Sequence, residues 1–315
     1  MKNIFAVCPN PSVDVTLSLE KLNVGELNRV SPPVVTYSGK AVNALKAAAI
    51  LGASGTATGF MPENDAAEFE KALESFGCGS AFINVGGSAR RNVKICEADG
   101  TLTELNAPGA PVGDVDKAKL IDAVRDLSGG FTVTIVSGSL PDGCAPDYYG
   151  ELSKACKSRY KIVDAEGERL FGALSSGASL IKPNKSEAEK IVGYEIKSNA
   201  DAVKAMKALI ERGAGAVLLS MGADGAYISD GNVVFLAKAP KVSVLSPVGA
   251  GDCMVGAAAA FLAEFEGDLN GDALCDLLRS AIAAGSASVS TPGTNLFEKA
   301  EYARLYNEIK PVRIK

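Results

Sequence analysis

The chain has 315 residues, of which 47% are hydrophobic and 22% are charged, and its formal net charge is -5. These values suit a globular protein with one large α/β domain or two smaller ones. The basic residues are scattered rather than clustered, which argues against nucleic acid and membrane surfaces as partners. The 7 cysteines are odd in number, irregularly spaced and without a Cys-x-x-Cys pair, so we expect reduced thiols in a cytoplasmic protein.

The sequence contains no histidine, which excludes a Ser-His-Asp triad, a histidine general base and histidine-bearing zinc sites. Any general base must therefore be Asp, Glu, Lys, Cys or Tyr. A Walker phosphate loop is also missing, because the only Gly-Lys pair, Gly39-Lys40, is followed by Ala41 rather than Ser or Thr. The first apolar run, Ile4–Cys8, is too short for a signal peptide and is better interpreted as a strand.

In the first part of the chain, short strands are interrupted by two helical segments. The predicted elements are a strand at Ile4–Cys8, alternating strands within residues 13–29, helices at about 41–51 and 65–76, and a hairpin of Asn92–Cys96 with Thr101–Leu105. Strands of alternating polarity are poor candidates for a buried parallel core. We therefore expect the strands within about 12–35 and 88–106 to form a separate small sheet, a lid that covers the site.

From Phe131 onward, short apolar runs alternate with helical stretches, which is the pattern of βαβ units. The runs are Val133–Val136, Lys161–Val163, Leu180–Ile181 and Ala216–Leu219, and a hairpin around Asp230-Gly231 follows them. Each run ends in polar or Gly-rich residues, and ligands of open parallel sheets bind beyond the carboxyl ends of the strands. The predicted fold class is a single α/β domain over residues 1–315, with a doubly wound, mostly parallel sheet flanked by helices.

The segment Gly249-Ala-Gly-Asp252 precedes an apolar, helix-prone run from Met254 to Phe265. A small, flexible turn at the start of a helix directs backbone N–H groups outward at the positive end of the helix dipole, which makes an anion site. A carboxylate in that site has a chemical use if it takes a proton from a hydroxyl while the N–H groups stabilise a phosphoryl group. The alternative interpretation is that Asp252 only caps the helix.

Asn184 and Glu187 follow a predicted strand and are three residues apart, so a helix start would place both on one face. An amide and a carboxylate side by side can order the water shell of Mg²⁺, which binds nucleotide phosphates through few protein ligands. The alternative is a capping box, in which Asn184 caps the helix and Glu187 reaches back.

Two further segments have the chemistry of a sugar-phosphate site. Lys40 and Asn43 offer donors that suit sugar hydroxyls, although the same segment could be a helix start with a solvated lysine. Alternation places Arg90, Asn92 and Lys94 on one face of a strand, and arginine is well suited to a phosphate. The alternative for this second segment is an ordinary charged strand edge.

Together these segments resemble, from end to end and in order, the motifs of the ribokinase-like (PfkB) carbohydrate kinases. The matching segments are Asp14, Ser38–Asn43, Arg90–Lys94, Gly138–Pro141, Asn184–Glu187, Ser220–Gly225 and Gly249–Asp252. Ser38 and Ala41 replace glycines of the first signature, Gly-Gly-Lys-Gly-x-Asn. The Arg-x-Asn-x-Lys pattern resembles the phosphosugar branch, which usually has glutamate where Ala107 stands.

The resemblance implies a role for each matching residue. It implies catalysis by Asp252 with Gly249, Ala250 and Gly251; substrate binding by Asp14, Gly39, Lys40, Asn43, Arg90, Asn92 and Ser139; nucleotide binding by Lys182, Asn184, Ser220, Gly222 and Gly225; and a metal near Asn184 and Glu187. The cofactors implied are ATP and Mg²⁺, and a use of K⁺ is left open. Cys253, next to the catalytic aspartate, is interpreted as a packed thiol.

The implied reaction is transfer of the γ-phosphoryl group of ATP to a phosphorylated ketohexose, and family members often pair their lids in a homodimer. The branch includes 1-phosphofructokinases and tagatose-6-phosphate kinases. We favour the first activity and keep the second as the alternative, since no single residue separates them. An alternative of another class is a sensor that binds a sugar phosphate without turnover, which the replaced glycines permit and Asp252 argues against.

Overall fold

The computed structural model describes residues 3–246, 248–267, 269–291 and 296–315. The strands are β1 Asn3–Val7, β2 Ser12–Leu19, β3 Val34–Ser38, β4 Ser54–Thr58, β5 Phe60–Pro62, β6 Gly79–Ser80, β7 Ile83–Val85, β8 Arg90–Glu97, β9 Leu102–Asn106, β10 Val133–Ser137, β11 Tyr160–Asp164, β12 Leu180–Ile181, β13 Val217–Ser220, β14 Ala226–Ser229, β15 Val234–Ala237 and β16 Val312–Arg313. The helices are α1 Lys40–Ile50, α2 Ala66–Glu74, α3 Asp114–Leu127, α4 Tyr148–Ala155, α5 Glu168–Leu174, α6 Lys185–Val192, α7 Asn199–Glu211, α8 Ala250–Glu264, α9 Gly271–Ser288 and α10 Lys299–Glu308.

The main sheet has the order β16-β15-β14-β13-β12-β11-β10-β1-β4-β6. From β6 to β13 all neighbouring strands are parallel, and β14, β15 and β16 continue the sheet antiparallel. Helices cover both faces of this sheet, so the predicted mostly parallel α/β fold is confirmed. The carboxyl ends of the parallel strands all lie at one edge, where the polar segments noted in the sequence follow β1, β10, β11 and β12.

The continuous apolar runs of the sequence arise because each parallel strand is buried on both faces. In β1, Ile4 and Ala6 pack into the core that contains α1, α8 and α9, whereas Phe5 and Val7 pack into the core that contains α4, α5 and α7. The fold is therefore three layers, helices over sheet over helices. No helix in the described part of the chain is long and apolar enough to cross a membrane, and all seven cysteines are free thiols.

A second sheet of four strands, called here the small sheet, has the order β3-β2-β8-β9. Strand β2 runs parallel to β8, while β3 and β9 are antiparallel to their neighbours. Since β8 lies inside this sheet, the interpretation of Arg90–Lys94 as an exposed strand edge is wrong. The alternating strands predicted within residues 13–29 end at Leu19, and the described residues 20–33 contain no strand.

The loop that replaces the predicted strand has a local cause. The side-chain oxygen of Asn28 accepts a hydrogen bond from the backbone N–H of Asn23, and its amide donates to the carbonyls of Asn23 and Glu26. These bonds satisfy the backbone groups that a strand would have paired. Alternation of apolar residues alone did not reveal this turn.

Candidate active site

Asp252 lies in the first turn of α8, and its carboxylate is buried. The helix begins at Ala250, four residues before the predicted apolar run, so Ala250 and Gly251 belong to the helix rather than to a flexible turn. Gly249 is the N-cap, with a φ of 81°, a left-handed conformation that favours glycine. The capping interpretation of Asp252 is therefore wrong: its Oδ2 instead accepts a hydrogen bond of 2.9 Å from Nδ2 of Asn43 in α1.

The start of α8 has the backbone geometry that the predicted anion site requires. Its first intrahelical hydrogen bond runs from the N–H of Cys253 to the carbonyl of Gly249. The N–H groups of Ala250, Gly251 and Asp252 consequently have no acceptor within the helix. They lie at the positive end of the helix dipole, where a phosphoryl group is stabilised.

The pKa of Asp252 is raised to about 6, chiefly because burial disfavours the charged carboxylate. The hydrogen bond from Asn43 opposes this rise, the nearby carboxylate of Asp164 adds to it, and Lys40 and Lys182 oppose it. A base with a pKa near 6 is ionised at neutral pH and still basic enough to take a proton in a transition state.

A buried ion pair lies beside the same helix start. Nζ of Lys182 is 3.3 Å from Oδ1 of Asp164, and both side chains are about 6% exposed. Ser137 donates to the other carboxylate oxygen of Asp164. A Cβ atom built on Gly251 would lie 3.2 Å from Nζ of Lys182, so the ammonium group is held directly beside the first turn of α8. Asp164 was not among the predicted site residues.

Lys40 opens α1 and pairs with Glu166 at 3.0 Å, across the edge of the site from the loop after β11. Lys40 begins the helix and is partly solvated, as in the alternative interpretation, but its ammonium group is paired with a carboxylate. Burial alone would lower the pKa of Lys40, but the carboxylates of Asp164 and Glu166 raise it overall. The preceding residue, Gly39, has a φ of 140°, and a Cβ there would lie 2.6 Å from Sγ of Cys8. Glycine is therefore required at this turn.

The polar face of the small sheet centres on Asp14, which is 3% exposed. Its carboxylate accepts hydrogen bonds from Ser12, from Nδ2 of Asn92 at 2.9 Å and from Nζ of Lys94 at 2.7 Å. The ion pair with Lys94 is almost completely buried. These contacts confirm that Asn92 and Lys94 share a face of β8, and they show that Lys94 is neutralised within the sheet.

Arg90 lies on the same face and is held in position by two hydrogen bonds. Its Nε donates to the carbonyl of Asn10 at 3.2 Å, and Nη1 donates to Oδ1 of Asn92 at 3.2 Å. Nδ2 of Asn10 donates in turn to Oγ of Ser139, 3.1 Å away. Asn10 thus joins two predicted substrate residues, although sequence inspection did not select it. Arg90 has no carboxylate among these partners, so its charge remains available to an anion.

Four of the five predicted nucleotide-binding residues line one cavity of about 670 Å³, and Lys182 is not among its lining residues. Asn184, Ser220, Gly222, Gly225, Ala250 and Gly251 all contribute to its wall. Apolar side chains from the loop after β15, from α8 and from α9 and its C-cap complete it, among them Val242, Val244, Met254, Ile282 and Val289. A largely apolar slot that ends at a helix N-terminus fits a flat base with a phosphate chain.

Asn184 and Glu187 form the capping box that was the alternative interpretation. The N–H of Glu187 donates to Oδ1 of Asn184 at 2.9 Å, and the N–H of Asn184 donates to Oε2 of Glu187 at 2.8 Å. The box leaves Oε1 of Glu187 outside it, and burial raises the pKa of this carboxyl group. Among the described residues no group of three or more His, Cys, Asp or Glu could hold a metal by itself. This donor set fits Mg²⁺, which takes few protein ligands when phosphates and water supply the rest.

The described site therefore has three adjoining parts: the polar face of the small sheet, the start of α8, and the nucleotide cavity. Asn43 connects the first two, and Gly251 belongs to the second and the third. No contact within the described residues joins Arg90 directly to Asp252, but the charges of both affect the pKa of the buried Cys8 thiol. Cys253 is fully buried, as expected of a packed thiol.

Known proteins of similar sequence and structure indicate which family the chain resembles. Residues 10–300 match the model of the pfkB family of carbohydrate kinases. A 1-phosphofructokinase of Bacillus subtilis is 31% identical over 315 residues, covering 99% of this chain and 100% of the relative. A 1-phosphofructokinase of Vibrio cholerae is 30% identical over 312 residues, covering 98% and 96%. The crystal structure of phosphofructokinase-2 from Escherichia coli in complex with potassium has a TM-score of 0.89 and 29% identity, covering 98% and 99%.

Proposed function

The chain belongs to the pfkB family of carbohydrate kinases, and we propose that it transfers the γ-phosphoryl group of ATP to fructose 1-phosphate. Membership makes it a phosphotransferase with a hydroxyl group as acceptor. The substrate is inferred from two relatives of about 30% identity over nearly the whole chain that are 1-phosphofructokinases. Tagatose 6-phosphate remains the alternative substrate, because it too is a phosphorylated ketohexose.

The observation that carries the proposal is the position of Asp252 in the first turn of α8, where Asn43 links its carboxylate to Ser38 of the small sheet. Oδ2 of Asp252 is held by Asn43, so we assign proton acceptance to Oδ1. As the hydroxyl oxygen of the sugar bonds to the γ-phosphorus, its proton passes to Asp252, and ADP leaves with the electrons of the broken bond. The N–H groups of Ala250, Gly251 and Asp252 stabilise the negative charge of the transferring group.

The residues at and beside the cavity have separate roles in binding the nucleotide. Lys182, held by Asp164, places a positive charge beside Gly251, where the phosphate chain would end. Ser220, Gly222 and Gly225 border the base-binding part of the slot. Mg²⁺ near Asn184 and Glu187 would neutralise charge on the nucleotide phosphates. Because a solved relative contains potassium, K⁺ is a candidate activator, which comparison of rates in KCl and NaCl tests.

The sugar-binding part would use the polar face of the small sheet. Asp14 and Asn43 present acceptors and donors for sugar hydroxyls, Gly39 and Lys40 border them, and Ser139 lies beside Asn10. We assign the non-reacting phosphate to Arg90, since its two hydrogen bonds aim the guanidinium without neutralising it. In this assignment the small sheet is the lid, and closure over the sugar would exclude water from the reaction.

The outer face of the small sheet supports a homodimer. Val35 and Leu105 are large apolar residues on that face and are 49% and 58% exposed. Burial of such a face against a second copy removes apolar surface from water. We expect a dimer in light scattering that Val35→Lys converts to monomer, whereas a monomeric wild type would end this part of the proposal.

One experiment distinguishes a kinase from a sensor. The protein is incubated with ATP-Mg²⁺ and, separately, fructose 1-phosphate, tagatose 6-phosphate, fructose 6-phosphate and fructose, and ADP is measured. A kinase of this kind produces ADP fastest with fructose 1-phosphate. Binding of a sugar phosphate, measured by calorimetry, with no ADP from any member of the panel would favour the sensor.

A further inference from the structure

Ser38, Asn43 and Asp252 form one hydrogen-bonded chain. Ser38 is the last residue of β3 and is 3% exposed. Its Oγ lies 3.1 Å from Oδ1 of Asn43, and Nδ2 of the same amide lies 2.9 Å from Oδ2 of Asp252. The chain therefore runs from the small sheet through α1 to the first turn of α8.

The chemistry of the three groups fixes the direction of each hydrogen bond. An ionised carboxylate can only accept, so the amide of Asn43 must turn its NH₂ group toward Asp252. The carbonyl oxygen of the amide then faces Ser38, and the serine hydroxyl must donate to it. A donor on the oxygen side polarises the amide and strengthens its bond to the carboxylate. Without the hydroxyl, the partly buried amide oxygen loses this partner and the amide is freer to rotate.

We propose that Ser38 is a positioning residue for phosphoryl transfer, which fixes the amide of Asn43 and through it the carboxylate of Asp252. The inference rests on the proposed function, in which Asp252 takes the proton of the sugar hydroxyl. The signature that this segment resembles has glycine at this position, and glycine has no hydroxyl. Ser38 is therefore a replacement that adds a hydrogen bond to Asn43, the residue that holds the base.

The pH dependence of the rate reports this contact. The bond from Asn43 favours the ionised form of Asp252, so weakening it raises the pKa of that carboxyl group further above its ordinary value. The other titratable groups that face Asp252 are the carboxyl of Asp164, the ammonium groups of Lys40 and Lys182, and the thiols of Cys8 and Cys253. Burial raises the pKa of the two thiols to about 11 and about 12, so neither titrates between pH 5.5 and 8.5.

The test is kcat against pH from about 5.5 to 8.5 for Ser38→Ala, at saturating ATP-Mg²⁺ and fructose 1-phosphate. The acid limb should move to higher pH. If the midpoint of that limb moves from about pH 6 to about pH 7, kcat of Ser38→Ala is about fivefold below the wild-type value at pH 6 and about a tenth below it at pH 8. Ser38→Thr keeps the hydroxyl and should restore the wild-type limb, and Ser38→Gly should shift it as alanine does.

Ser153→Ala is the matched control. Ser153 is a buried serine in α4 whose hydroxyl has no hydrogen-bond partner within the described residues, so its profile should superimpose on the wild type. An unmoved limb in both Ser38→Ala and Ser38→Gly would overturn the inference. So would an equal loss of kcat at every pH that threonine does not restore, because Ser38 would then only shape the loop.

A parallel measurement separates this inference from the proposed function. If Asp252→Asn is inactive and the acid limb of Ser38→Ala is unmoved, only the role of Ser38 is wrong. If Asp252→Asn turns over like the wild type, the assignment of the base is wrong and the inference falls with it.

Discussion

Replacement of Arg90 by alanine tests whether the site binds the phosphate group already present on the sugar, which does not react. Arg90 is fixed by hydrogen bonds to the carbonyl of Asn10 and to Oδ1 of Asn92, neither of which is a carboxylate. A hydrogen bond to a charged group contributes roughly 1.5–3 kcal/mol. At about 1.4 kcal/mol per factor of ten, Arg90→Ala should raise KM for fructose 1-phosphate about tenfold to a hundredfold. KM for ATP should barely change, because Arg90 is not among the residues that line the nucleotide cavity.

Arg91→Ala is the matched control for this experiment. Arg91 is the next residue of β8, but it points to the opposite face and pairs with Asp65 at 2.8 Å. Its removal should leave KM for the sugar phosphate unchanged. Arg90→Lys should rescue only in part, since an ammonium group cannot reproduce the planar fork of the guanidinium.

The assay couples ADP formation to a spectrophotometric readout, with fructose as the unphosphorylated comparison. For fructose, KM should respond little to Arg90→Ala, because the contact that is lost does not exist in that complex. Equal weakening of both sugars, or of neither, would refute the assignment of Arg90 to the phosphate.

Three further changes test other parts of the site. Glu187→Gln should raise the Mg²⁺ concentration needed for half-maximal rate, since glutamine can keep the capping box but carries no charge for the metal; an unchanged Mg²⁺ titration would leave Glu187 with the capping role alone. In the wild type, kcat should fall as pH decreases through about 6, because burial raises the pKa of Asp252 to that value and only the ionised form accepts a proton; a flat profile from pH 5.5 to 8.5 would argue against it. Gly251→Ala would place a methyl group 3.2 Å from Nζ of Lys182, so kcat should fall with little change in thermal stability, and a wild-type kcat would show that Lys182 does not act at this point.

The sequence predicted the layers of the fold because parallel strands buried on both faces leave continuous apolar runs, as in Val133–Val136 and Ala216–Leu219. It located the small sheet by alternation, but it extended the strand after Leu19 because the turn closed by Asn28 depends on side-chain hydrogen bonds that periodicity does not register. The start of α8 was placed late since two glycines near Asp252 have low helix propensity. In the structure Gly249 is the N-cap and only Gly251 of the two lies inside the helix.

In the candidate site, too, the sequence predicted some features and could not predict others. Motifs located Asp252, Asn184 and Arg90, but they could not show that Asn43 contacts Asp252 across 209 positions of sequence. Asp164 and Asn10 were missed for this reason: Asp164 is an ordinary polar residue at the end of a strand and Asn10 one shortly after a strand, and only the sheet topology brings them to the site. The end of a buried parallel strand was the signal that could have found Asp164.

The turnover of Asp252→Asn with ATP-Mg²⁺ and fructose 1-phosphate tests the central claim most directly. Asparagine has the shape of aspartate but cannot accept the proton, and general-base catalysis contributes roughly 10²–10⁴ in rate. We predict that kcat falls by at least about a hundredfold, while ATP affinity and the melting temperature stay close to those of the wild type. A variant that binds ATP, remains folded and turns over fructose 1-phosphate at a near-native rate would contradict the account.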